Sequence, residues 1–121
     1  VKLVPFLSFL DQIRIFHWQT FSYAEHKALG KAYDELSELF DKFIETYYGK
    51  YGKNILKVEF VLNVESYSED IDITKVIGNK KRALLSYIRT ELLTENDRDL
   101  HNIADDIEGN INHLLYLLQL K

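Results

Sequence analysis

The sequence predicts an all-α fold: four helices in a single domain that spans residues 1–121. Three observations carry that reading. Apolar residues recur at the 3.6-residue helical period in four segments. Only one long stretch, residues 53–71, breaks that period. A chain of 121 residues with 46 % apolar content fits one domain built around one core.

The first helix is predicted over 4–21. Pro5, the only proline, stands in its opening turn, where a missing N–H costs nothing. Phe6, Leu10, Ile13, His17 and Thr20 line one stripe and Phe9 and Phe16 a second, with Ile15 and Trp18 on another side. A helix apolar nearly all round is either central or covered by a partner. Read this way, the N-terminal segment is a helix and not a signal peptide, because it lacks a basic start and a small-residue cleavage site.

Ser22 followed by Glu25 has the capping-box spacing and opens a second helix over 23–50. Its stripe is Leu29, Ala32/Tyr33, Leu36, Leu39/Phe40, Phe43 and Tyr47. Gly49 and Gly52 mark its end, with Lys50 placed to favour the carbonyl terminus. In 53–71, Val58, Phe60, Leu62 and Val64 alternate with other residues, so a short strand or an extended connection is expected there. A third helix follows over 72–93, with Ile73, Ile77, Leu84 and Ile88 on its stripe. A tight link capped by Thr94 or Asn96 leads to a fourth helix over 96–120, marked by Leu100, Ile103, Ile107, Ile111, Leu114 and Leu118.

The connections are therefore short, long, short. Short turns force antiparallel neighbours, and an extended link of about 19 residues reaches about 60 Å, enough to return along the whole second helix. This connectivity is that of a ferritin-like four-helix bundle with a long crossover between helices two and three.

Composition narrows the chemistry. With no cysteine, disulfides, thiolate metal sites and cysteine nucleophiles are excluded. A net charge of −4 argues against wrapping contacts with DNA or an anionic membrane, and no run of 18 apolar residues exists to span one. The segment GKYGK lacks the phosphate-loop pattern.

The ligand-capable residues lie on the first two helices. Asp34, Glu38, Asp41 and Glu45 form one acidic stripe opposite the apolar face of helix two. A solvated face explains such a stripe, and so does a row of oxygen ligands for iron, manganese or zinc. Because the stripe points outward, a metal site built from it has to be closed by another subunit. His17 lies on or beside the inner stripe of helix one, and His26 in the first turn of helix two. Helix four has its own polar row, Asp97, His101, Asp105, Glu108 and Asn112, in which His101 with Asp105 is a further ligand-capable pair, read more simply as a surface pair.

The stretch His17-Trp18-Gln19, followed by Leu29 and Asp34, resembles the Dps-type mini-ferritins, the DNA-protecting proteins of starved cells. Over most of its length the chain is also similar in texture to small ferritin-like proteins of tailed phages, in YAEHKALGKAYDEL, FDKFIETYYGKYG and NHLLYLLQL. These resemblances imply a soluble homo-oligomer, phage-encoded, located in a host cytoplasm or a virion. They also imply an iron (or manganese or zinc) site between two subunits, with ferroxidase activity if that site is complete. His17 stands at the first ligand, Asp34 at the acid of the second segment and Glu45 at the later acid. His26 lies about one turn before Gly30, where the family's second histidine aligns, and Gly49 aligns with its final glutamate. His17 and Asp34 of one subunit would face Asp41 and Glu45 of the other. The rival expectation keeps the fold as a structural or assembly module, for example a phage virion component, with no metal and no catalysis.

Overall fold

The computed structural model describes residues 2–53 and 59–120. Among these the chain is all-helical, as expected. Helix α1 is Val4–Gln19, α2 is Tyr23–Tyr51, α3 is Ile73–Ser86 and α4 is Arg98–Leu118. A π-helical segment, Tyr87–Leu92, continues α3.

The turn from α1 to α2 is built from three side chains. Ser22 accepts the N–H of Glu25 at 3.2 Å, the predicted N-cap bond. The Glu25 carboxylate does not close the box on Ser22. It accepts the Thr20 hydroxyl at 2.6 Å, and Thr20 Oγ1 in turn accepts the Ser22 N–H at 3.1 Å. A threonine therefore relays the capping box, and α1 ends at Gln19, two residues earlier than its apolar pattern suggests. At its far end α2 stops where Gly52 takes φ 86°, a conformation open to glycine and costly for other residues.

One contiguous core holds the helices together. Phe6, Phe9, Ile13 and Phe16 of α1 pack with Leu29, Leu36, Phe40 and Phe43 of α2, with Ile77 and Leu84 of α3, and with Leu100, Ile107 and Ile111 of α4. Edge-on rings key α1 to α2, with the Phe6 and Phe40 centroids 5.3 Å apart. The π-helical segment shifts the buried stripe by one residue. Its i→i+5 bond, Leu93 N–H to Ile88 O at 3.0 Å, keeps both Ile88 and Leu93 in the core.

Side-chain contacts set the directions. Lys80 and Tyr87 of the third helical stretch reach Ser8 and Lys2, so α3 runs antiparallel to α1. Lys50 of α2 meets Asp97 and Asp99, while Glu35 meets Asn110, so α4 runs antiparallel to α2. The packed neighbours are α1 with α2 and α3, and α4 with α2 and α3.

The link between α2 and α3 corrects one expectation. No strand forms among the described residues of 53–71; residues 54–58 of that stretch lie outside the described residues. A strand needs a partner strand, and here a helix supplies the partners. Gln12, 1 % exposed, donates its amide to the Glu65 carbonyl at 2.9 Å and accepts the Glu65 N–H at 2.7 Å. Gln19 Oε1 accepts the Tyr67 N–H at 2.6 Å. The Ser8 hydroxyl and the Lys80 ammonium both donate to the Asn63 carbonyl. Ser8, Gln12 and Gln19 climb α1 as Asn63, Glu65 and Tyr67 climb the link, so the link runs parallel to α1. A second correction concerns α4: it starts two residues late, and its N-cap is Asp97, not Thr94 or Asn96.

Candidate functional site

The two histidines of the first hairpin meet across the α1–α2 turn. His17 Nδ1 lies 2.7 Å from the His26 carbonyl oxygen, and His26 Nδ1 lies 2.8 Å from the His17 carbonyl oxygen. A carbonyl oxygen only accepts, so each Nδ1 carries a proton and donates it. In the neutral ring the lone pair is then on Nε2. The rings stack with centroids 3.9 Å apart and an interplanar angle of 14°. Two imidazoles are thus held parallel, with the nitrogen tautomer of each set by the backbone of the other.

Gly30 makes room for the pair. A Cβ at this position would lie 2.8 Å from His17 Cε1 and 3.1 Å from Nδ1. Gly30 is therefore the floor on which the His17 ring rests.

An open groove of roughly 410 Å³ runs beside this ring, lined by Arg14, His17, Trp18, Gly30, Tyr33 and Asp34. Asp34 is the carboxylate of the groove, and Glu38, Asp41 and Glu45 continue the exposed face of α2 beyond it. Of the expected ligands, the fold brings together His17, His26 and Asp34, the first two in contact and the first and third on one groove. Asp41 and Glu45 stay exposed on the same face, about two and three turns away along α2. Among the described residues no three His, Asp or Glu side chains of one chain converge to hold a metal ion.

Arg14 is a groove residue that sequence reasoning missed. Its guanidinium lies over the Tyr33 ring at 4.6 Å and the Trp18 ring at 5.7 Å, and it bonds the Tyr33 hydroxyl. It adds a positive charge, so a cation in this groove needs more carboxylates than Asp34 alone. A polar residue on a helix otherwise apolar all round was the available signal, and it applies to Gln12 as well.

Two acidic residues of α4 are paired with a cation. Asp105 and Glu108 accept from Arg89 of the π-helical segment, at 2.7 and 3.1 Å. His101 Nε2 lies 2.9 Å from the Thr94 carbonyl oxygen. Asp97, on the predicted polar row, is buried at 1 % exposure. Its carboxylate accepts Lys50 Nζ at 2.6 Å, the Tyr51 hydroxyl and the Thr94 N–H at 2.8 Å. Those donors, Lys50 first, hold the Asp97 carboxyl well below the usual carboxylate range. The same bond to Asp97 pushes the Lys50 ammonium up. This cluster joins the end of α2 to the start of α4, and its donors and acceptors satisfy one another.

No described helix is long and apolar enough to cross a membrane. The profile of a family described as "Family of unknown function (DUF5856)" matches residues 17–118. No curated protein and no solved structure matches the chain.

Proposed function

The chain belongs to the DUF5856 family, and we propose that it is a ferritin-like, Dps-like four-helix bundle that binds iron or a similar metal between two copies. The helix directions support the bundle: α1 antiparallel to α2 and α3, α4 antiparallel to both, and a long link returning parallel to α1. The observation that carries the metal is the reciprocal histidine pair. Metal-binding histidines characteristically donate their second ring N–H to a backbone carbonyl or carboxylate, which orients the ring and frees the other nitrogen. His17 and His26 each meet that condition within one turn.

The donor set suits the proposal. Imidazole nitrogen with carboxylate oxygen fits iron, manganese or zinc. His17 and Asp34, with His26 beside them, would hold the ion from one chain, and Asp41 and Glu45 of a second copy would complete the site. Their carboxylates offset the charge of Arg14. A bound metal would supply Lewis acidity or, for iron, oxidation chemistry.

The test is calorimetric titration of the chelator-treated chain with Mn(II), Zn(II) and anaerobic Fe(II). Saturable binding at a fixed ratio is expected for the native chain, with about tenfold or greater weakening in His17→Ala and in Asp34→Ala. Absence of saturable binding, or equal affinity in all three chains, removes the reading. One observation favours the alternative of a structural or assembly module without metal: Trp18, Phe21 and Tyr23 at the α1–α2 turn are 65, 91 and 74 % exposed. Large exposed rings mark contact surfaces. Under that reading, association survives His17→Ala and chelation alike.

A further inference from the structure

Three groups from three parts of the chain meet where the link passes α1 and α3. The Lys80 ammonium donates to Ser8 Oγ and to the Asn63 carbonyl oxygen, both at 2.9 Å. The Ser8 hydroxyl points at the same carbonyl over 3.4 Å, a distance that holds its proton loosely. Ser8 and Lys80 are half-buried and Asn63 is exposed, so the cluster is reached from solvent. Burial pushes the Lys80 ammonium below the ordinary lysine range, against an opposing pull from the Glu65 carboxylate. Once it gives up a proton, Lys80 keeps an N–H for the Asn63 carbonyl and turns a lone pair to the Ser8 hydroxyl.

We propose that Ser8 is a nucleophile toward activated esters of small, neutral, apolar acids, with Lys80 as its base and the Asn63 carbonyl as the group that orients that base. A hydroxyl becomes nucleophilic when a base lies within hydrogen-bond reach and a third group fixes the base. Serine with lysine is one form of that arrangement. Ser8 Oγ bonds to the ester carbonyl carbon, and its proton passes to Lys80 Nζ. The ammonium so formed stands beside the negative oxygen of the tetrahedral adduct. The alcohol then leaves with that proton, and the acyl group stays on Ser8. A water attacks the acyl-serine in the same way and gives a proton to Lys80. The acid departs as Ser8 Oγ takes that proton back.

A slot for the acyl group adjoins the cluster. Leu62 and Val64, the chain neighbours of Asn63, line a groove of roughly 260 Å³ with Asp11, Arg14, Ile15 and Trp18 of α1. Asp11 is about one turn from Ser8 along α1, and Ile15 about two. Ile15, Trp18, Leu62 and Val64 give the groove apolar walls. Arg14 and Asp11 approach to 3.9 Å, so their charges offset and the groove favours neither sign in an acyl group. That neutrality sets the ligand class. The reaction as written needs no metal, so it stands apart from the metal reading.

The test is acylation by p-nitrophenyl butyrate in EDTA, with the modified residue located by peptide mass spectrometry. The native chain should release a stoichiometric burst of nitrophenolate and carry the butyryl group on Ser8. Lys80→Arg keeps a donor for the Asn63 carbonyl but supplies no base. It should therefore preserve the seating of the link, read by circular dichroism and melting temperature, and slow Ser8 acylation at least about a hundredfold. Ser8→Ala should lose the burst. Absence of a butyryl group on Ser8 in the native chain overturns the proposal, and so does butyryl confined to lysine or histidine side chains. An equal rate of Ser8 acylation in Lys80→Arg overturns it as well. The native-chain measurement decides whether or not either variant folds. Ser8 acylation in a chain that binds no metal keeps this inference and removes the metal reading; saturable metal binding without Ser8 acylation does the reverse.

Discussion

His17 and His26 show how two carbonyl oxygens choose a tautomer for two rings. The choice depends on Gly30, because any side chain there enters the space of the His17 ring. Gly30→Ala tests this. In mid-helix, alanine gains about 1 kcal/mol over glycine, and displacing His17 forfeits a hydrogen bond worth about 1 kcal/mol. Net stability should therefore change by less than about 1 kcal/mol, while the imidazole resonances of both histidines move and metal affinity falls. Unshifted resonances would show that the ring does not rest on Gly30. The sequence names both histidines and Asp34. It does not reveal their contact, because a nine-residue separation on two helices becomes a ring stack only once the Thr20–Ser22–Glu25 turn sets the hairpin angle.

At the scale of elements, the end of α2 is tied to the start of α4 by one buried carboxylate. Asp97 is charged in the fold because Lys50, Tyr51 and the Thr94 N–H all donate to it. Its folded pKa lies below its unfolded value of about 3.9. The stabilisation is therefore full above about pH 4 and fades as the pH falls from there toward the folded pKa. Asp97→Asn should lower the melting temperature at pH 7, and its melting temperature should fall less than that of the native chain between pH 4 and pH 2. Parallel pH profiles for the two chains would show that Asp97 is not held ionised. Sequence reasoning put Asp97 in the polar row of helix four. Its burial comes from Lys50, 47 positions earlier, and that distance hides the pairing from any local pattern. The link between α2 and α3 has the same cause: alternation in 58–64 is a strand pattern, but glutamines of α1 meet its backbone where a strand would.

For the whole molecule, the core is the best-read feature. Every stripe residue of α4 that the periodicity picks out is buried, except Leu118, which is half-buried. Ile107, fully buried between α4 and its neighbours, should cost about 2–5 kcal/mol when truncated to alanine. A loss under about 0.5 kcal/mol in chemical denaturation, the value for an exposed site, would mean that the register of α4 is wrong. The same core fixes which faces are left over. The acidic face of α2, the rings at the α1–α2 turn and the outer edge of the link remain outside it.

By itself the sequence determined the four helices, their apolar faces and the N-cap at Ser22, because each depends on residues within a turn or two of one another. Only the tertiary structure decided the histidine tautomers, the charge state of Asp97, the π-helical shift before Leu93 and the capture of the link by Gln12 and Gln19. Each of those is settled by a hydrogen bond or a packing constraint between groups that meet only after the helices pack, and no local periodicity carries that information.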